Sequence, residues 1–184
     1  MKTLIKIFLL FICLFSAIGS HAQAYTRDSG IDKYVGTWEW KNGNDILQIV
    51  ITKQKLLRVK KVNDNITNYY SDVAVGWHSY IKNGVSVESS MGKANTQYTS
   101  WGDAYDNSTL MGGTTHTGAF ELFFKDITKN KYGSAKLEML SGSTNEARWT
   151  LKPESHLVLV IPGKLEAPPK GFSVPTDVIM KKIK

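Results

Sequence analysis

Two Asn-Gly dipeptides, Asn42-Gly43 and Asn83-Gly84, constrain this chain most, because each sits between runs of alternating apolar residues. Both central residues of a type I′ turn need positive φ, so each dipeptide predicts a tight antiparallel hairpin. Residues 35–40 read as the strand before the first turn. Residues 45–52 follow it, with Leu47, Ile49 and Ile51 on one face. Residues 54–62 form a further strand, ended by Asn63-Asp64-Asn65. Residues 69–81 are the longest candidate: Val73, Val75, Trp77 and Ile81 share one face, while Asp72, His78 and Lys82 share the other. Trp77 and Trp149 are expected in the interior, beside Val75 and Leu151. Residues 85–89 complete the second hairpin.

The stretch 91–117 is rich in Gly, Ser, Thr and Asn and reads as a long loop or an irregular strand pair. Strand patterning resumes at 119–125, 134–140, 145–151 and 156–161. The breaks fall at Lys129-Asn130, Ser141-Gly142 and Lys152-Pro153. A proline-bearing connection over 162–175 leads to a last strand at 177–182. No stretch carries the 3.6-residue apolar period of a helix. The reading is all-β, with about eight to ten strands and essentially no helix. Such a meander closes into an antiparallel up-and-down barrel or two packed antiparallel sheets.

The first residues have a different character. Lys2 and Lys6 precede an apolar run over 7–18, and small residues follow at Ser20, Ala22 and Ala24. That is the pattern of a secretory signal peptide cleaved after Ala22, leaving residues 23–184 as one domain. The expected location is the periplasm or the exterior, with no transmembrane anchor. The single cysteine, Cys13, falls within the signal and lacks the small residues of a lipidation site just before it. The mature chain therefore has no disulfide and no thiol nucleophile. Cleavage removes Lys2 and Lys6, lowering the 23 basic residues to 21 against 16 acidic ones, a net charge of +5. Lys53, Lys55, Arg58, Lys60 and Lys61 lie together in one strand-like segment and read as a solvated face that protects a sheet edge, the alternative being affinity for anionic polysaccharide, lipid headgroups or nucleic acid. No aromatic-basic interleaving accompanies them, so nucleic acid is not an expected partner.

The run Tyr34-Val35-Gly36-Thr37-Trp38-Glu39-Trp40 resembles the G-x-W opening strand of lipocalin-type (calycin) barrels, in which a Trp seals the closed end. The later lipocalin motifs and disulfides are missing. Four further features are His21-Ala22-Gln23, the Gly-x-Trp-x-Trp strand, Tyr80-Ile81-Lys82-Asn83-Gly84, and Gly171-Phe172-Ser173-Val174-Pro175-Thr176 before a basic final strand. With these the chain resembles an uncharacterised family of small secreted proteins of flavobacteria-like bacteria, a domain of unknown function. That resemblance implies a secreted all-β domain and transfers no activity and no site residues.

Catalytic chemistry has little to stand on. His78, His116 and His156 form no H-x-H or H-E-x-x-H spacing, so no metal site is expected. There is no G-x-S-x-G elbow. Asp103-Ala104-Tyr105-Asp106-Asn107 lacks the ligand alternation and terminal Glu of a calcium loop. The aromatic residues carry more. Trp101 lies in Thr99-Ser100-Trp101-Gly102-Asp103, with no apolar neighbour to bury it, and Tyr98 and Tyr105 flank it. Rings on a polar loop make sense if they cap an opening between strands. The expected ligand contacts are therefore Trp101, Tyr98 and Tyr105, with Tyr80 and His78 as polar contacts from a neighbouring strand. The expectation is a non-catalytic module of the bacterial envelope or exterior, without cofactor, that binds a small hydrophobic or glycan ligand or a partner. Its alternatives are a structural or interaction protein with a side-chain-filled barrel, and a secreted hydrolase.

Overall fold

The computed structural model describes residues 24–62, 65–153 and 170–184. The signal segment, the turn at 63–64, the expected strand at 156–161 with His156, and most of the 162–175 connection lie outside them. The elements, in chain order, are β1 (Tyr25–Thr26), β2 (Gly36–Asn42), β3 (Asp45–Val62), β4 (Asn65–Lys82) and β5 (Val85–Ser89). They continue with helix α1 (Trp101–Asn107), β6 (Leu110–Thr114), β7 (Phe120–Asp126), β8 (Lys131–Met139), β9 (Glu146–Pro153) and β10 (Asp177–Lys182). Short 3-10 turns occupy Ser29–Tyr34 and Met91–Lys93.

Hydrogen-bonded neighbours run β4-β3-β2-β10-β9-β8-β7-β6, and β6 pairs back onto β4 to close an eight-strand antiparallel barrel. The connections between successive barrel strands are short except between β4 and β6, where β5, a 3-10 turn and α1 intervene, and between β9 and β10, where residues 154–176 intervene. Of the two closures expected from the alternation, the up-and-down barrel rather than two packed sheets is the fold.

Three local readings change. The first hairpin pairs Asn42 with Asp45, so its turn residues are Gly43 and Asn44 rather than Asn42 and Gly43. Only Gly43 has positive φ there (59°), the pattern of a II′ turn, whereas Asn83 (52°) and Gly84 (80°) both do, as a I′ turn requires. The expected strands 45–52 and 54–62 are one 18-residue strand, because Gln54 continues the ladder opposite Val73. The expected loop 91–117 contains a helix and barrel strand β6.

The lumen is filled. Trp38, Leu47, Ile49, Phe124, Leu137, Trp149 and Met180 are all fully buried in one cluster fed by strands from around the barrel. Near the chain's start the 3-10 turn crosses one end. There Tyr34 stacks on Phe120 at 4.0 Å, and the Trp38 indole N–H donates to the Tyr34 carbonyl at 2.8 Å. Trp149 lies in this interior as expected. Trp77 is equally buried but belongs to a second cluster with Leu56, Val73, Val75, Tyr98, Ala104 and Met111. Register explains the difference. Val50 pairs with Trp77 and Ile49 with His78, so Trp77 faces away from the lumen that Ile49 enters. Both faces of β4 are covered, one by the core and one by the segment between β5 and β6.

Candidate functional site

The outer wall of β3 and β4 carries the features that stand out. Eighteen residues of extended strand reach about 60 Å, and β2 pairs with β3 only as far as Ile51. Beyond that point β3 and β4 continue as an arm past the barrel. Its outward face holds Gln54, Leu56 and Arg58 on β3, with Val73 and Ser71 opposite Gln54 and Leu56.

Residues 94–100 are pinned to this face by one amide. Gln54 Nε2 donates to the Thr96 carbonyl at 2.8 Å, and its Oε1 accepts from the Tyr98 N–H at 2.9 Å. The Leu57 N–H then donates to the Thr99 carbonyl at 3.0 Å, and Ser100 forms a parallel bridge to Leu57. Ser100 caps α1, accepting from the Asp103 N–H at 3.2 Å. Helix α1 buries Ala104 against the wall, and the Tyr98 hydroxyl donates to the Asn107 carbonyl at 3.2 Å.

This places Trp101, the first residue of α1, against Arg58. The guanidinium carbon sits 3.6 Å from the centre of the Trp101 ring, and both side chains are half-buried. The pair forms the shared wall of two clefts. One, of about 550 Å³, is bordered by Leu57, Val59, Tyr69, Ser100 and Gly102. The other, of about 420 Å³, is bordered by Thr26, Asp28, Ser71, Asp72, Gly113 and Thr114, among others. The two aspartates there are already engaged. Asp28 accepts from the N–H groups of Gly30 (3.0 Å) and Thr114 (2.8 Å) and from the Thr114 hydroxyl. Asp72 accepts from the Tyr25 hydroxyl (2.6 Å) and the Asp28 N–H (3.1 Å). The Ser71 hydroxyl, in contrast, is buried without a hydrogen-bond partner.

The five residues named from sequence fall into two groups. Tyr98, Trp101 and Tyr105 share the outer wall: Tyr98 lies 6.4 Å from Trp77, and Tyr105 packs on Phe123 at 4.9 Å. Their segment covers the wall rather than an opening between strands. His78 and Tyr80 face the lumen on the other side of β4 and do not meet Trp101. Burial, reinforced by Asp45, pushes the Tyr80 hydroxyl pKa up.

His78 anchors a buried polar chain. Its Nε2 lies 2.7 Å from Glu88 Oε1 and its Nδ1 2.9 Å from Thr109 Oγ1. The Thr109 hydroxyl meets Ser90 Oγ at 3.0 Å, and the Ser90 hydroxyl returns to the His78 carbonyl at 3.1 Å. Burial alone would raise the Glu88 pKa. Hydrogen bonds from His78 and Thr128, with the charge of His78, instead pull it down to about 2. Ser90 and Thr109 border a third cleft of about 290 Å³ with Lys93 and Lys125. A carboxylate, an imidazole and a hydroxyl in line are the parts of a proton relay, but here the hydroxyls close the chain on its own backbone. It ties β5 to β4 and to the residue before β6.

Sequence reasoning assigned Arg58 to a solvated face and did not single out Ser71. The signal for Arg58 was register, because it shares a face with Gln54 and Leu56. The signal for α1 was Ser100-x-x-Asp103, a helix-start pattern. Among the described residues no cluster of three His, Cys, Asp or Glu could hold a metal, and no helix is long and apolar enough to cross a membrane. A model described as a family of unknown function (DUF6705) matches residues 1–183. No curated protein and no solved structure matches the chain.

Proposed function

The chain belongs to that family of unknown function, and from this premise we propose that it is an exported binding module whose ligand docks on the outer wall at Arg58 and Trp101. The observation that carries the reading is the pairing of a filled lumen with two open clefts that meet at one cation–aromatic wall. A filled barrel has no room for a guest, so recognition falls to the surface. Export rests on the basic start, the apolar run over 7–18 and the small residues at 20–24. A hydrolytic reading would run through His78, which is fully buried and whose hydrogen bonds close on one another.

The test is Trp101→Ala beside Trp77→Ala, screened against immobilised neutral and acidic oligosaccharides and followed by thermal melts. Trp101→Ala should abolish binding at a cost below about 1.5 kcal/mol, because the ring is half-exposed. Trp77→Ala should cost about 3–5 kcal/mol, because that indole is fully buried. A loss of about 3 kcal/mol or more from Trp101→Ala would make Trp101 a packing residue and end the site. Undiminished binding by the variant would end it too.

A further inference from the structure

We propose that the Arg58–Trp101 wall recognises an acidic glycan, with a sugar carboxylate held by the Arg58 guanidinium and neighbouring rings lying in the clefts on either side. This deepens the outer-wall reading and rests on it.

The argument begins with an unused charge. Among the described residues Arg58 has no carboxylate partner, although Asp28 and Asp72 border the same cleft. Hydrogen bonds from neutral donors hold those two carboxylates in place, and neither they nor Glu121 at the rim pairs with Arg58, so its N–H edge has no protein carboxylate. A guanidinium stacked on an indole uses its face and leaves its N–H edge free, and that edge matches a carboxylate in a bidentate fork. Half-burial removes part of its water, which strengthens such a pair relative to one at an open surface. Lys60, two residues on along the same face, is exposed and adds positive potential beside it. Glu121, also exposed, stands opposite at the rim of the 420 Å³ cleft.

The second observation is Ser71. A buried hydroxyl without a partner costs free energy in the ligand-free protein. Ser71 also borders the 420 Å³ cleft, where a ligand oxygen would give its hydroxyl the partner it lacks. The third observation is the lining. Thr26 and Ser71 on one side and Tyr69 on the other place hydroxyls around one indole, while those of Thr114, Thr115 and Ser100 are held by Asp28, Thr117 and the Asp103 N–H. Hydroxyl-rich walls around an aromatic edge suit a polyol ring, and the unpaired cation selects the rings that carry an acid. A peptide carboxylate would satisfy Arg58 alone and leave the Ser71 hydroxyl without a partner.

Calorimetric titration of the full mature chain separates the possibilities. The probes are a galacturonate hexamer, its methyl ester, a neutral glucose hexamer and a glutamate hexapeptide. The unesterified galacturonate should bind, and methylation or Arg58→Gln should each weaken it roughly ten- to hundredfold. Raising the salt concentration should weaken it further. Ser71→Ala should raise the melting temperature while lowering affinity, a pair of signs that a purely structural serine would not give. Equal binding of the ester, or an Arg58→Gln variant that is folded and binds normally, overturns acid recognition. The outer-wall reading then stands if Trp101→Ala still abolishes binding. Tighter binding of the glutamate peptide overturns the glycan class. Failure of the wild-type protein to bind any of the four overturns both.

Discussion

Glu88 shows how much one side chain can hold. Its depressed pKa makes stability depend on its ionisation: the contribution is complete above the ordinary value of 4.5 and is lost as pH falls from there through about 2. Asp177 is also held low by its hydrogen bonds from Arg148, but it faces solvent and contributes little. Urea unfolding of the wild type between pH 7 and pH 2.5 should therefore show stability falling below about pH 4.5. Glu88→Gln should unfold about 1–3 kcal/mol more easily at pH 7, because it replaces the carboxylate that accepts from His78 and the Thr128 N–H, and its acid slope should be shallower. A variant with the wild-type slope would place the acid sensitivity elsewhere. At this scale the sequence was half legible. The alternation around Trp77 showed that it would be buried, but not on which side of the sheet, since register alone makes one face inner and the other outer. Trp101 looked unburied because the groups that meet it, the Arg58 guanidinium and the outer wall, lie some forty residues away in sequence.

Hairpins were the most legible elements, and their errors were local. Asn83-Gly84 sits where the dipeptide placed it, while the first turn slipped by one residue because Gly43 can serve as the first turn residue as well as the second. Helix α1 escaped notice because seven residues cannot display a 3.6 period, although its Ser100 cap was readable. Strand β3 was read as two strands separated at Lys53, and the continuity of its arm with β4 has a measurable consequence. After Leu57 no described strand pairs with the outer edge of β3, and before Tyr70 none pairs with the outer edge of β4. Amide hydrogen exchange should be fastest, among the described strands, in residues 58–62 and 65–69. It should be slowest where the lumen cluster is densest, in β7, β8 and β9. Uniform protection along β3 would mean that something covers the arm in solution.

Closure of the barrel was legible as a class but not as a topology. A meander of this length can close or fold into two sheets. What decides it is the pairing of β6 with β4 through Ala74–Gly112, Val75–Met111 and Gly76–Leu110, a contact hidden in a segment that reads as loop. The export reading belongs to the whole chain as well. Amino-terminal sequencing of protein recovered from outside the cytoplasm should begin at Gln23 or Tyr25, and an intact start at Met1 would refute it. The arm's two bare edges have a last consequence, which concerns how molecules of this protein treat one another. Two such edges brought together would zip into a continuous sheet, and exposed Val59 and Ile66 would favour it. Lys55, Lys60 and Lys61, all exposed beside these edges, would oppose that approach by repulsion between copies. A polyanion that neutralised them would remove that barrier and draw the molecules into clusters.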